Sequence, residues 1–221
     1  MSIKLHALEL GLGLAFGATG AMAQVSATIE QRGEDNTSYI TQDSVQNTRA
    51  GITVEGSWGN NATINQVNVS NSQAWVSQSA SGGDVVINQG GAAGGSWNNT
   101  QHRNLTASVT QHWGWGNEAE ITQLGRDATA TVNQSGSWNT VAINQNATGR
   151  NGGNLVATVT QFLSYGSDAE IIQSGRNLTA HISQQGWNNE ATIRQTGSRP
   201  SGYTASITQW GDRNVASITQ R

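Results

Sequence analysis

The sequence predicts an all-β chain wound as a β-solenoid of about eight coils, each about 22 residues long with two strands. Three observations carry that prediction. A five-residue unit, Ala-x-Ile/Val-x-Gln, recurs from Ala27 to Gln220. Within each unit the side chains alternate with a period of two, as in a strand with two unlike faces. Between units lie short segments rich in Gly, Asn and Ser, the composition of tight turns.

The first 23 residues stand apart from the repeat and read as a signal peptide. Lys4 supplies a weak basic region, Leu10 to Ala18 a short apolar run, and Ala21-Met22-Ala23 a small-x-small site for cleavage before Gln24. Gly11, Gly13 and Gly17 argue against a buried helix there. The solenoid is expected to fill 24–221.

The clearest units are Ala27–Gln31, Ala62–Gln66, Ala74–Gln78, Ala107–Gln111, Ala119–Gln123 and Ala130–Gln134. They continue as Ala157–Gln161, Ala169–Gln173, Ala180–Gln184, Ala191–Gln195, Ala205–Gln209 and Ala216–Gln220. Looser copies end at Gln42, Val54, Gln89 and Gln145, and a degenerate one at Gln101, which brings the expected strands to seventeen. The inward face carries Ala, Ile or Val, and Gln; the outward face carries mostly Thr, Ser and Asn. A single coil cannot close a core, because its Ala/Ile/Gln face needs a coil above and below. Stacking sets Ile over Ile and Gln over Gln, so an inward amide that would be costly alone is satisfied by its equivalent in the next coil. Open strand edges at the two ends then invite further stacking, as in cross-β fibres.

Composition excludes several classes of function. Charged residues make up 11% of the chain, so a nucleic-acid partner, which needs a basic excess, is not expected. Beyond residue 23 there are ten Arg and thirteen acids, a balance of 10 − 13 = −3. With no Cys, neither disulfides nor thiolate metal sites can form. His102, His112 and His181 do not cluster, so no metal or cofactor is expected. Glu120 and Glu170 fall two coils apart without a cleft-forming insertion, which argues against paired-carboxylate glycoside chemistry. No enzymatic activity is expected.

Several units extend to Gln-x-Gly-x-x-Asn-x-Ala-x-x-x-Gln. Gln184 to Gln195 and Gln209 to Gln220 match throughout; Gln31 to Gln42 matches with Ser38 for Ala, and Gln134 to Gln145 with Val141 for Ala. This pattern resembles the curlin repeat of curli subunits, the functional amyloids of bacterial biofilm matrix. The resemblance implies a structural fibre subunit in which inward Gln and Asn form the ladders that drive polymerisation. The residues carried over are Gln31, Asn36, Gln42, Gln134, Asn139, Gln145, Gln184, Asn189, Gln195, Gln209, Asn214 and Gln220. It also implies an extracellular fibre at the cell surface, a role in adhesion, export through an outer-membrane secretion pore, and nucleation by a second, similar subunit. Near-consensus units at both ends favour the polymerising subunit over the nucleator itself. Val54 in place of Gln, and Ala128 and Leu178 in place of Asn, are expected to leave gaps in the ladders.

With Gln101 counted as a strand, the turns sort into two edges. One carries Trp113, Trp115, Trp138, Phe162, Tyr165, Trp187 and Trp210; the other carries Arg103, Arg126, Arg150, Arg176 and Arg199. Trp58 falls outside the pattern. The aromatic edge offers a grip for matrix polysaccharide, dyes or a neighbouring fibril, but the favoured reading is that the rings stack on one another and shield the coil edge. The Arg column repels itself unless Asp127 or bound anions relieve it. The outward faces sort the same way. Thr63/Asn65, Ser108/Thr110, Thr131/Asn133, Thr158/Thr160 and Ser206/Thr208 form a flat uncharged face, while Glu30, Glu120, Glu170 and Arg194 mark the other. Ice binding by the flat face is the lesser alternative, since only one of those strands places Thr at both positions.

Overall fold

The computed structural model describes residues 24–91, 102–147, 153–197 and 202–221. The expected signal peptide lies outside them. In chain order the strands are β1 (Ser26–Glu34), β2 (Thr37–Asp43), β3 (Arg49–Trp58), β4 (Asn61–Val67) and β5 (Val69–Ser70). Then come β6 (Gln73–Gln78), β7 (Asp84–Gly90), β8 (His102–His112), β9 (Glu118–Ser137) and β10 (Thr140–Ala147). The last five are β11 (Gly153–Tyr165), β12 (Asp168–Trp187), β13 (Glu190–Gly197), β14 (Tyr203–Trp210) and β15 (Val215–Gln220).

Every strand pairing is parallel, as a coil-on-coil winding requires. One sheet, here sheet A, runs β1, β3, β6, β8, the second half of β9, β11, the second half of β12, then β14. Sheet B runs β2, β4, β7, the first half of β9, β10, the first half of β12, β13, then β15. Seven successive pairings in each sheet make eight levels. The chain is thus the predicted β-solenoid. Coils are counted below by their ladder position in sheet A: Gln31, Val54, Gln78, Gln111, Gln134, Gln161, Gln184 and Gln209.

Seventeen strands were expected and the two sheets hold sixteen levels. The difference lies at Gln101, itself outside the described residues. β6 pairs directly with β8, and β7 directly with β9, so no level remains for a strand at Gln101. Removing one strand exchanges the faces of everything before it. Thr63 and Asn65 belong to sheet B, not with Ser108 and Thr110 in sheet A. Glu30 belongs to sheet A, not with Glu120 in sheet B. Trp58 moves onto the aromatic edge, where its ring meets that of Trp115 edge-to-face at 5.4 Å.

The strict register produces the core. Ile143 sits between Ile121 and Ile171, and the same column continues through the inward Ile and Val of both sheets. These side chains are fully buried between the two sheets, with Ala at the preceding inward position filling the narrower space. Parallel β-branched residues stacked on a pleated surface lose little rotamer freedom and bury their methyls continuously.

The turns keep the coils in register by repeating left-handed backbone. Gly136, with φ of 112°, shows why glycine is needed at such a site: a Cβ there would run into the carbonyl oxygen of Ser164 in the next coil. The corner between sheet B and the following sheet A strand has its own small core of Val69, Leu105, Ala128, Ala147, Leu155 and Leu178. Ala128 and Leu178, expected as ladder gaps, belong to this column. Of the Arg column, Arg103 and Arg126 stand in register. Arg150 and Arg199 lie outside the described residues. Asp127 accepts a hydrogen bond from the Asn104 amide at 2.6 Å, a contact with an asparagine and not with the Arg column.

The inward and outward assignment has a direct test. Ile193 is fully buried between Ile171 and Ile218, whereas Thr192 points outward. Ile193→Asp places a carboxylate where neither water nor a cation can reach it, at an expected cost above ~3 kcal/mol. Burial favours the protonated acid, so structure should be lost near neutral pH and partly regained in acid. Thr192→Asp should fold like the parent. Far-UV circular dichroism of both variants across pH checks this, and a harmful Thr192→Asp would reverse the faces.

Candidate functional site

The inward glutamines stand at the last inward position of each unit, where the sheets close together at the corners. In sheet B their amides form one continuous line through all eight levels. Gln42 donates to Gln66, Gln66 to Gln89, Gln89 to Gln123 and Gln123 to Gln145. Gln145 then donates to Gln173, Gln173 to Gln195 and Gln195 to Gln220. All seven bonds run Nε2 to Oε1 at 2.7–2.9 Å. In sheet A the line runs from Gln78 through Gln111, Gln134, Gln161 and Gln184 to Gln209 at 2.9–3.1 Å. Every amide donates toward the C-terminal coil.

An amide nitrogen has two hydrogens, and the second one crosses the core. Gln123, Gln145, Gln173 and Gln195 donate to the carbonyls of Thr106, Thr129, Val156 and Thr179 at 2.9–3.0 Å. Gln111 and Gln161 donate to the carbonyls of Asn117 and Ser167, which end the turn into sheet B. The ladder therefore ties coil to coil and sheet to sheet with the same atom. Sequence periodicity predicts the first role; the second was not read from it, because it depends on how the corners fold.

The expected gap at Val54 is real. Gln31 precedes it and turns its amide to the Ser38 hydroxyl at 2.7 Å. Gln78 follows it, fully buried, and its Oε1 has no hydrogen-bond partner among the described residues. The orphan oxygen follows from the missing donor one level earlier.

A second polar column runs along the corner from sheet A to sheet B. Asn60 donates through N and Nδ2 to Asn36 Oδ1, and Asn139 does the same to Asn117. Asn214 repeats the pattern on Asn189. Two positions of this column hold other residues: Ser167 keeps it connected, its N–H donating to Asn139 Oδ1, while Gly83 has no side-chain oxygen to pass it on to Asn117. Gly83 N–H donates to Asn60 Oδ1, and Ser167 accepts from Asn189 N–H through its hydroxyl. Asn36, Asn139, Asn189 and Asn214 of the expected site all fall here, while Gln42, Gln134, Gln145, Gln184, Gln195, Gln209 and Gln220 fall in the two glutamine lines; Gln31 stands in register at the first level of sheet A but is cut off from its line by Val54. Asn60, Asn117 and Ser167 were missed, because the corners after Val54, Gln111 and Gln161 are one residue longer than the Gln-x-Gly-x-x-Asn spacing.

The aromatic edge lies outside this corner. Trp58 joins Trp115, and Tyr165 packs on Trp187 at 5.6 Å. Trp113, Trp138, Phe162 and Trp210 remain between 54% and 75% exposed, so mutual stacking does not shield the edge as a whole. Glu170, in register two levels from Glu120, pairs with Arg194 at 3.0 Å on the exposed face of sheet B. Such an exposed pair adds little stability.

Two outcomes follow from this geometry. Val54→Gln should supply the missing donor to Gln78 and raise stability by about 1–3 kcal/mol, read as a shift in the denaturation midpoint. The second concerns His102, whose half-buried ring loses hydration, so burial lowers its pKa below the ordinary imidazole value. Gly125 N–H donates to its Nδ1 at 2.8 Å, which also requires the neutral ring. The folded state therefore resists a proton that the unfolded chain accepts below roughly pH 6.5. Stability is full above that value and falls as pH drops toward the lowered folded pKa. Urea midpoints at pH 7.5 and 5.5 should differ in the parent and converge in His102→Asn.

The search of curated proteins and of solved structures returned no match to the chain. The family model described as the curlin associated repeat matches residues 165–197. That segment holds the Tyr165–Trp187 contact, Ser167 and Asn189 of the corner column, and Gln173, Gln184 and Gln195 of the two ladders. The segment is thus similar to a curlin associated repeat, and the other coils of the solenoid stand in register with it.

Proposed function

We propose that the protein is a polymerising subunit of a curli-type extracellular amyloid fibre. The observation that carries this reading is the polarity of the ladders. Because every bond within the two glutamine lines is donated toward the C-terminal coil, the two ends carry complementary unused groups. At coil 1, Gln42 donates to Gln66, and no described coil lies on its other side to donate to its Oε1. At coil 8, Gln209 and Gln220 each spend one amide hydrogen on a backbone carbonyl and keep the other. The apolar columns end the same way, with Ile29, Ile40, Ala216 and Ile218 only partly buried. Within the described residues β1, β2, β14 and β15 have a neighbour on one side only.

A second copy placed head-to-tail extends both ladders and covers the exposed isoleucines. Unlike a two-fold contact, such an interface does not close on itself and propagates as a filament. The curlin associated repeat supports the same reading, since curli subunits self-assemble into fibres. Residues 1–23 would direct export, with an outer-membrane pore and a nucleating subunit as partners and the biofilm matrix as the destination.

Purified chain from residue 24 onward, incubated alone, should grow thioflavin-positive fibres after a lag, with a ~4.8 Å meridional reflection. A persistently soluble monomer would overturn the reading. Among variants, Gln42→Ala and Gln220→Ala should slow elongation about ten-fold, since one docking hydrogen bond to a buried amide is worth on the order of 1–1.5 kcal/mol. Gln134→Ala should instead lower the denaturation midpoint while elongation stays near the parent rate. Equal elongation in all three variants would count against end-to-end growth.

A further inference from the structure

Coils 2, 4 and 6 each carry one residue more than their neighbours on the aromatic edge. Five residues separate Gln111 from Asn117 and Gln161 from Ser167, against four between Gln134 and Asn139. The extra residue appears as a break in register after Gln161, where Ser164, not Leu163, pairs with Gly136. Coils 4 and 6 therefore bulge on either side of the shorter coil 5. Between them lies a groove of about 330 Å³, walled by Trp113 on one side and Phe162 on the other. Ser135 and Asn133 of coil 5 lie between the walls, with Thr160 and His112 also lining it.

Each bulge carries strained backbone at or beside its wall, at Trp113 itself and at Leu163 next to Phe162. Fourteen non-glycine residues among those described have positive φ, and eleven are Asn, Asp, Ser or Arg. The three exceptions are Trp113 (47°), Trp138 (59°) and Leu163 (48°), all on this edge in coils 4 to 6. A bulky side chain in the left-handed region is unfavourable, and such outliers gather at ligand sites. Trp138 lies against coil 4: a Cβ on Gly116 would meet its ring at 2.6 Å. Coil 5 contributes only small polar side chains to the groove.

We infer that this groove is a binding site for a neutral polysaccharide, with a sugar ring seated between Trp113 and Phe162. Aromatic walls match the apolar C–H faces of a pyranose, and the hydroxyl and amide groups of Ser135, Asn133 and Thr160 match its equatorial hydroxyls. No carboxylate or guanidinium lines the groove, and the adjoining outward face of sheet A carries Ser108, Thr110, Thr131 and Thr158. The surroundings suit an uncharged ligand. A peptide is disfavoured because the strand amides and carbonyls beneath the groove are already paired with the coils above and below, leaving none for an added strand. The site lies within one chain and is independent of fibre growth.

The test uses cellohexaose as the probe, titrated calorimetrically into the parent and three variants. Trp113→Gly removes one wall and places glycine where φ is positive, so the fold should be retained or improved. Phe162→Ser removes the other wall. Trp210→Ser, at the far end of the same edge, is the control. Either wall variant should weaken binding about ten-fold or more while Trp210→Ser binds as the parent, with strand circular dichroism unchanged in all. The inference fails if the parent shows no saturable binding at millimolar cellohexaose, if the wall variants bind as the parent, or if Trp210→Ser loses as much. It also fails if Trp113→Gly abolishes lateral bundling of fibres and leaves sugar binding intact, since the occupant would then be a second copy.

Discussion

A primary amide buried away from water must place two hydrogens and an oxygen, and the whole solenoid follows from how the inward glutamines do so. Leaving one such group unpaired costs on the order of 1–3 kcal/mol, which is as much as burying a valine gains. The stack resolves this by setting the glutamines in register and sending each second hydrogen to a backbone carbonyl across the core. The second bond can form within one coil, as from Gln123 to the Thr106 carbonyl, but the ladder bond cannot: Gln123 finds its amide partners only in the coils before and after it. The unit is stable only as part of a pile, which makes the coil interface the elementary unit of folding and gives the pile a direction.

That direction separates this fold from a symmetric stack. If amides alternated in sense, both ends would present the same groups and two copies could meet face to face and stop. Uniform donation leaves acceptors at one end and donors at the other. The asparagine column runs in the opposite sense, with Asn60, Asn139 and Asn214 donating toward the N-terminal coil. The two columns thus impose one polarity through opposite signs, and reversing one coil would break both.

Much of this was legible in the sequence because glutamine in an otherwise apolar alternation has few physical solutions. The period of two fixes the faces, and the repeated Gln names the ladder. What failed was a count. The span from Gln89 to Gln111 has the length of two units, and periodicity alone cannot tell a weak strand from a long loop. The residues could have decided it. A strand ending at Gln101 would put Trp97 and Asn99 at the inward positions that elsewhere hold Ala and Ile, burying an asparagine against isoleucine with no ladder to satisfy it. That one miscounted strand displaced Trp58, Glu30 and Thr63 together. The corner cluster around Leu105 and Leu178 was hidden for another reason: the same turn position is polar on one edge and apolar on the other, so a single consensus averages two different corners.

The difference between the corners explains where strain can be tolerated. On the sheet B to sheet A corner, left-handed positions are filled by Asn47, Asn71, Asn104, Asn154 and Asn177, residues that adopt that backbone readily. On the aromatic edge the same demand falls on Trp113 and Leu163, at an expected cost of about 1–3 kcal/mol each. Strain of that size persists only where the neighbouring backbone has no freedom to relax it. Trp113 follows Gln111 by two residues, and Gln111 is held by bonds from Gln78, to Gln134 and to the Asn117 carbonyl. Leu163 follows Gln161 by two residues, and Gln161 is held in the same way by Gln134, Gln184 and the Ser167 carbonyl. Three bonds at ~1 kcal/mol apiece, beside paired strands, outweigh one unfavourable dihedral. The ladder that builds the solenoid is also what lets two coils hold bulky side chains outward over a third.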